Sequence, residues 1–214
     1  MRITKVGHAC LFIEEGEARI LVDPGNWNTE PIMENVHAVL LTHEHGDHAE
    51  EKHLAGILSR NPQMRVIAHE GLTKKLDAAG IPFEKFSEGA RFDVNGISIE
   101  MCGTTHARIY GDMPVCQNAG YLIANRLYVP GDALHDVPKQ PVEILGLPVG
   151  GPWMRMSEAI DYAKSLAPKI VFPLHDAMYT PEYRDNIVPR IVGGNLEAAG
   201  IVFRDMKAGA TEEF

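Results

Sequence analysis

Ala38-Val39-Leu40-Leu41-Thr42-His43-Glu44-His45-Gly46-Asp47-His48 is the stretch whose reading decides the fold. Its first half is a short, uniformly apolar run, the pattern of a strand buried on both faces with helices covering it. Its second half crowds three imidazoles and two carboxylates into six residues. Glu50 to Arg60 then has helical residue types, so the histidines fall at a strand-to-helix junction.

In an extended backbone His43 and His45 project to the same side by the two-residue strand period and can share a metal. Asp47 and His48 follow a turn and aim elsewhere. Gly46 is expected to support that turn by taking a backbone conformation forbidden to most residues. Imidazole and carboxylate together suit zinc and similar borderline metals, so one segment can serve two metal sites.

Four ligands do not close two sites, and the remainder must come from elsewhere. His106 follows the β-rich Ile99 to Thr105, Asp132 follows Leu127 to Gly131, and His175 follows Ile170 to Leu174. Loops beyond strand ends are where a rigid scaffold fixes functional groups. The recurrence carries more weight than any single histidine.

Around these points the chain reads as two similar halves. Ile3 to Val6, Leu11 to Glu14 and Arg19 to Asp23 predict an antiparallel meander, Arg65 to His69 a strand, and Gly71 to Ala79 a helix stopped by Gly80-Ile81-Pro82. From Arg91 the chain is β-rich through Pro148. A helix is expected over Ser157 to Leu166 with Ser157 as its N-cap, then a strand at Lys169 to Pro173, interrupted helical stretches from Pro181 to Leu196, and a last strand from Gly200 to Asp205. The tail to Phe214 is expected to be mobile. Strands followed by helix–strand alternation, twice over, suit two packed sheets with helices outside, in one domain spanning 1–214.

The composition agrees. Of 214 residues, 45% are apolar and 23% charged, enough for a full core. Twenty Lys and Arg against 29 Asp and Glu give −9, a surface that repels nucleic acid and anionic membrane. Met1 to Gly7 alternates like a strand rather than a signal peptide, and no apolar run approaches the ~18 residues that span a bilayer. Cys10, Cys102 and Cys116 are too few and too scattered for a disulfide framework. The expectation is a cytoplasmic protein with a small-molecule substrate and neither nucleic-acid nor membrane partners; its oligomeric state is left open.

With its ordered partners Asp23, His106, Asp132 and His175, Thr42 to His48 resembles the motif set of the metallo-β-lactamase superfamily. Val6-Gly7-His8-Ala9, Ile20 to Pro24 and Leu147-Pro148-Val149-Gly150-Gly151 resemble a narrower branch of small metal-dependent hydrolases similar to L-ascorbate-6-phosphate lactonase. After the Gly-Gly, where that branch often carries Phe-Thr-Met, this chain has Pro152-Trp153-Met154-Arg155-Met156. The resemblance implies an α+β fold, a four-layer αββα sandwich with the site at one edge of its sheets. It also implies that His43, His45 and His106 hold one divalent metal, that Asp47, His48 and His175 hold a second, and that Asp132 bridges them. Asp47 and Asp132 become the catalytic carboxylates, Asp23 a hydrogen-bond acceptor behind a ligand, and His8 a neighbour of the site. Zinc comes first as the metal, with manganese or iron as alternatives.

The function implied is hydrolysis of an ester, lactone, amide or phosphoester of a small anionic substrate by metal-bound hydroxide. The alternatives are an iron-dependent oxidoreductase on the same scaffold and a non-catalytic metal-binding protein. Asp23 could instead end a strand before Pro24-Gly25, and His8 could simply occupy a turn. His37, His53, His69 and His135 lack the ordered context and read as surface or core residues. Cys102 and Cys116 read as ordinary thiols. Arg108, Tyr110, Trp153 and Arg155 flank the proposed site loops, with substrate contact and surface packing equally good readings.

Overall fold

Strands β1 (Arg2–Lys5), β2 (Leu11–Glu15) and β3 (Ala18–Val22) form the antiparallel meander, with Ile3 opposite Ile13 and Ile13 opposite Ile20. The structure, a computed structural model, describes residues 1–28 and 33–214. The chain continues through β4 (Ala38–Leu40), α1 (Glu51–Arg60), β5 (Arg65–Ala68), α2 (Thr73–Ala78) and β6 (Glu84–Lys85). In this half β3, β4, β5 and β6 run parallel.

The second half begins with antiparallel β7 (Arg91–Val94), β8 (Ile97–Cys102), β9 (Gly120–Ile123) and β10 (Leu127–Val129). It then turns parallel through β11 (Ile144–Pro148), α3 (Met156–Leu166), β12 (Ile170–Leu174), α4 (Pro181–Ile187), α5 (Gly194–Glu197) and β13 (Val202–Phe203). A π-type turn, Val188–Gly193, joins α4 to α5. Among the described residues there are two seven-stranded sheets, ordered β14-β1-β2-β3-β4-β5-β6 and β13-β12-β11-β10-β9-β8-β7, where β14 is Thr211–Glu213.

Two-residue alternation sorts the side chains into layers. Ile20, Val22 and Leu40 turn inward against Tyr121, Ile123 and Phe172 of the other sheet. Their neighbours Leu21, Val39 and Leu41 turn outward onto Leu54 and Ile57 of α1 and Leu76 of α2. On the far side Leu145 and Leu147 pack beneath Ala159 and Ala163 of α3, with Val192 and Leu196. Each sheet is thus apolar on both faces and covered by helices, giving the αββα sandwich of the metallo-β-lactamase fold.

Three local expectations are corrected. The C-terminal tail is not loose: β14 pairs with β1, Arg2 lying opposite Glu213, and Phe214 packs on Phe172. That pairing joins opposite ends of the chain, so local composition carried no sign of it. Helix α3 begins one residue before Ser157, and its N-terminal hydrogen bond runs from the Arg155 N–H to the Glu158 carboxylate at 2.6 Å. Gly46 does not take a left-handed backbone. A Cβ there would lie 3.0 Å from Asn26 Nδ2, and its carbonyl accepts from the Asn26 N–H at 2.8 Å. Close approach of a neighbouring loop is what that position requires.

The loops carrying the motif residues gather at one sheet edge and are tied across it. Ala119 N–H donates to Thr42 O at 2.8 Å, Tyr121 O–H to Leu41 O at 2.8 Å, and His175 N–H to His8 O at 2.8 Å. Behind His175, the buried Lys5 ammonium donates to Asp176 Oδ2 at 2.7 Å and to Pro173 O at 2.8 Å, while Arg184 Nε donates to the same carboxylate oxygen at 2.9 Å. With its charge paired and its protons accepted, Lys5 can stay buried. No helix among the described residues is long and apolar enough to cross a membrane.

Candidate metal centre

The site is built from Asp23 upward. Asp23 follows β3 with φ +46°, a conformation in which its side chain reaches under the neighbouring strand. Its Oδ1 accepts from the Thr42 N–H at 2.8 Å, and its Oδ2 from the Thr42 hydroxyl at 2.7 Å and from His48 Nδ1 at 2.8 Å. Because the Thr42 hydroxyl gives its proton to Asp23, its oxygen is left to accept from His43 Nδ1 at 3.0 Å. This network assigns the proton of both imidazoles to Nδ1 and turns both Nε2 lone pairs into the site. His106 is set the same way, with Nδ1 against the carbonyl of Ala107 at 2.5 Å.

These lone pairs converge. His43 Nε2 lies 3.0 Å from His45 Nδ1, and His43, His45 and His106 place one ligand atom each within 4.8 Å of one another. A second group is Asp47, His48 and His175 together with His8. Asp132 lies between the groups. Its Oδ1 is 3.3 Å from His48 Nε2, and its Oδ2 is 3.0 Å from His175 Nε2, 3.4 Å from His106 Nε2 and 4.0 Å from His43 Nε2. All seven residues named as ligands from the sequence therefore come together, and Asp23 and His8 touch them. His37, His53, His69 and His135 stand outside these groups; His69, for example, donates to the Thr42 carbonyl at 2.9 Å.

His8 differs from His43, His48 and His106 in its tautomer. Its Nδ1 accepts from the Ala177 N–H at 3.2 Å, so the neutral ring carries its proton on Nε2, which faces Asp47 Oδ2 at 3.4 Å. Burial pushes its pKa down to about 4, keeping it neutral. A protonated Nε2 cannot ligate a metal, so His8 steadies the Asp47 carboxylate instead. Accordingly, His8→Ala is expected to weaken metal retention ~10-fold or more, while His8→Gln, whose amide can donate from the same place, should recover most of it. Competition with a chromogenic chelator measures both, and equal losses would make His8 a direct ligand.

The donors fit a metal in two independent ways. Four buried atoms facing one another, His48 Nε2, His106 Nε2, His175 Nε2 and Asp132 Oδ1, have no hydrogen-bond partner, an arrangement costing ~1–3 kcal/mol per group unless a ligand satisfies it. The electrostatics also call for cations. Burial works against the charged form of His48, yet Asp132 and Asp23 push its pKa well up. Burial is likewise overcome at His175, where Asp132 and Asp47 raise the pKa to about 9. Against their own burial, Asp132 and Asp47 stay well below the usual carboxylate range, each beside His48 and His175. Without metal, protonated imidazoles thus occupy positions where positive charge is favoured.

Several contributors had little or no sequence signal. Trp153, flanking a site loop in the sequence, is buried and donates from Nε1 to Asp132 Oδ2 at 2.8 Å. The preceding Gly151 makes this arrangement possible, because a Cβ there would lie 2.7 Å from the indole nitrogen. Asn118 holds the backbone at Asp132, accepting from the Asp132 N–H at 3.0 Å. Trp27 packs its ring on His8 at 4.7 Å between centroids; a large aromatic in the polar turn after Pro24-Gly25 was its only sign. Cys116 Sγ is 3.8 Å from His45 Nε2, and burial pushes its thiol up to about 11, leaving it a protonated neighbour rather than a thiolate. Arg108, by contrast, is exposed and donates to the Gly111 carbonyl at 2.7 Å, and Tyr110 is exposed.

A family model described as the beta-lactamase superfamily domain matches residues 2–175. The chain belongs to the metallo-β-lactamase superfamily. It is 35% identical over 191 residues to protein Rv0786c of Mycobacterium tuberculosis, covering 86% of this chain and 88% of that protein. It is 27% identical to a UPF0173 metal-dependent hydrolase of Methanocaldococcus jannaschii, with 81% and 83% covered. A solved structure from Parabacteroides distasonis, assigned as a metal-dependent hydrolase, superposes with a TM-score of 0.76 at 24% identity, covering 96% of this chain and 92% of that one. That neighbour supports the fold, and the Methanocaldococcus jannaschii relative is named a metal-dependent hydrolase.

Proposed function

We propose that this chain is a metal-dependent hydrolase whose centre takes two divalent ions, zinc first, with manganese or iron as alternatives. The observation that carries this reading is Asp132, whose carboxylate lies within 3.4 Å of His106 of the first ligand group and of His48 and His175 of the second. Bound divalent ions supply Lewis acidity and bring the pKa of water to near ~7. The chain itself then orients the reactants. His43, His45 and His106 on one side and Asp47, His48 and His175 on the other fix the centre, and Asp23, Thr42 and Trp153 lock the ligand orientations.

Asp47, held from behind by His8, is placed to accept a hydrogen bond from water and aim its lone pair at a carbonyl or phosphoryl centre. The water oxygen joins that centre, the bond to the leaving oxygen or nitrogen breaks, and the leaving group takes up a proton. Two divalent charges against Asp47 and Asp132 leave the floor of the site positive, which favours an anionic or strongly dipolar reacting group. The expectation of no nucleic-acid partner accords with the net charge of −9.

Metal content under excess zinc or manganese tests the reading directly: two ions per chain are expected, and a plateau at one would overturn the dinuclear assignment. Affinity should also depend on pH in a fixed direction. Ligation requires the protons on His48 and His175 to leave, so metal binding tightens as pH rises toward about 9. The same groups give the metal-free fold the opposite trend. Their raised pKa values contribute stability below the unfolded value near ~6.5, and it is lost as pH rises through the folded value. Chelator competition and thermal unfolding of the stripped protein, each from pH 6 to 9, should therefore move in opposite directions.

A further inference from the structure

The cleft above the centre, about 410 Å³, is lined by five of the candidate ligands and by Asn26, Trp27, Ile109, Pro152, Trp153 and Met178. Among the described residues that line it, none is Lys or Arg. Three of these apolar side chains are held open to solvent: Trp27 is 48% exposed, Met178 38% and Ile109 37%. The loop of Ile109 extends the same character with Met113 and Val115, both exposed. Large apolar groups are normally withdrawn from water, and an exposed cluster rimming a polar centre marks a ligand surface. Arg108, the nearby cation in sequence, spends its guanidinium on the Gly111 carbonyl.

We infer that the substrate carries an apolar, ring-sized or branched aliphatic body that rests on Trp27, Ile109 and Met178, while its hydrolysable group meets the metal floor. The inference rests on the hydrolase reading for the identity of that group and on the lining alone for the body. A body bearing a phosphate or carboxylate remote from the metals would find no counter-charge on these walls, and it would lose hydration without compensation. For a carboxylic ester the reaction is R–CO–OR′ + H2O → R–COOH + R′–OH, and an amide releases an amine instead, with the apolar part in R or R′. The class of reaction that supplies it is the acylation of an alcohol or amine in which one partner is apolar.

Trp27 and Trp153 are the chain's two tryptophans, so intrinsic fluorescence reports on this cleft. Three hydroxamates that share one metal-binding head serve as probes of the zinc-loaded protein. Benzohydroxamate is expected to bind ~10-fold or more tightly than acetohydroxamate, and succinic monohydroxamate no better than acetohydroxamate. Trp27→Ala should narrow the gap between the first two; Ile109→Ser, at an exposed loop position, gives the same reading should the tryptophan variant misfold. Equal binding of benzo- and acetohydroxamate, or tightest binding of the succinic probe, overturns the proposal. The p-nitrophenyl esters separate it from the hydrolase reading. Hexanoate turned over no better than acetate removes the apolar body and leaves a hydrolase. The expected binding order with no ester or amide turned over leaves the apolar cleft and removes the hydrolase.

Discussion

Asp132→Ala is expected to lower kcat/KM by roughly a thousandfold or more, the scale of several kcal/mol of lost transition-state stabilisation. Asp132 reaches both groups, facing His48 with one oxygen and His106 and His175 with the other. Its loss also removes the acceptor of the Trp153 indole and frees that ring from the cleft wall. His135→Ala is the control. His135 lies outside the ligand groups with its side chain 49% exposed, and its removal should leave kcat/KM within about twofold. Steady-state kinetics on one ester, together with bound metal per chain, measures both. Equal, small effects would mean that Asp132 is not the bridge.

The second large effect is expected from His43→Ala combined with His45→Ala, which should leave the protein folded and without metal in the first group. The apolar layers are complete without these residues: between the sheets Ile20, Leu40, Tyr121 and Phe172 pack on one another, and the outer layers rest on α1 and α3. His43 is fully buried, so its truncation leaves a cavity and lowers the melting temperature, but the far-ultraviolet circular dichroism should keep its shape. Collapse of that spectrum would reveal a metal that the fold needs in order to form.

The sheets were legible because burial is written into alternation. Ile20 and Val22 inward with Leu21 outward is a pattern that adjacent residues record by themselves. The ligand residues were legible for a related reason: each hangs just past a strand, where the backbone direction is fixed and the side chain is free to serve chemistry. What could not be read depended on partners distant in the chain. The pairing of β14 with β1, and the insertion of Trp153 beside Asp132 over Gly151, exist only once the sandwich has closed. The proton position on His8 depends on the Ala177 N–H, 169 residues away. A motif names a histidine, but the fold decides which of its nitrogens faces the metal.

The origins of the ligands give the centre a mechanical meaning. His43, His45, Asp47 and His48 descend from β4 in one sheet, while His106, Asp132 and His175 descend from β8, β10 and β12 in the other. An ion held by both sets is a rivet through the two halves of the sandwich at its open edge. Its contribution to folding follows mass action, about 2.7 kcal/mol at a free concentration one hundred times the dissociation constant. Metal availability therefore governs more than turnover. In metal-poor surroundings the same molecule becomes a pair of sheets held at this edge by a few backbone hydrogen bonds, with faster amide exchange around Thr42, Ala119 and His175 and an edge more open to proteases. Metal supply can in this way set the protein's lifetime as well as its rate.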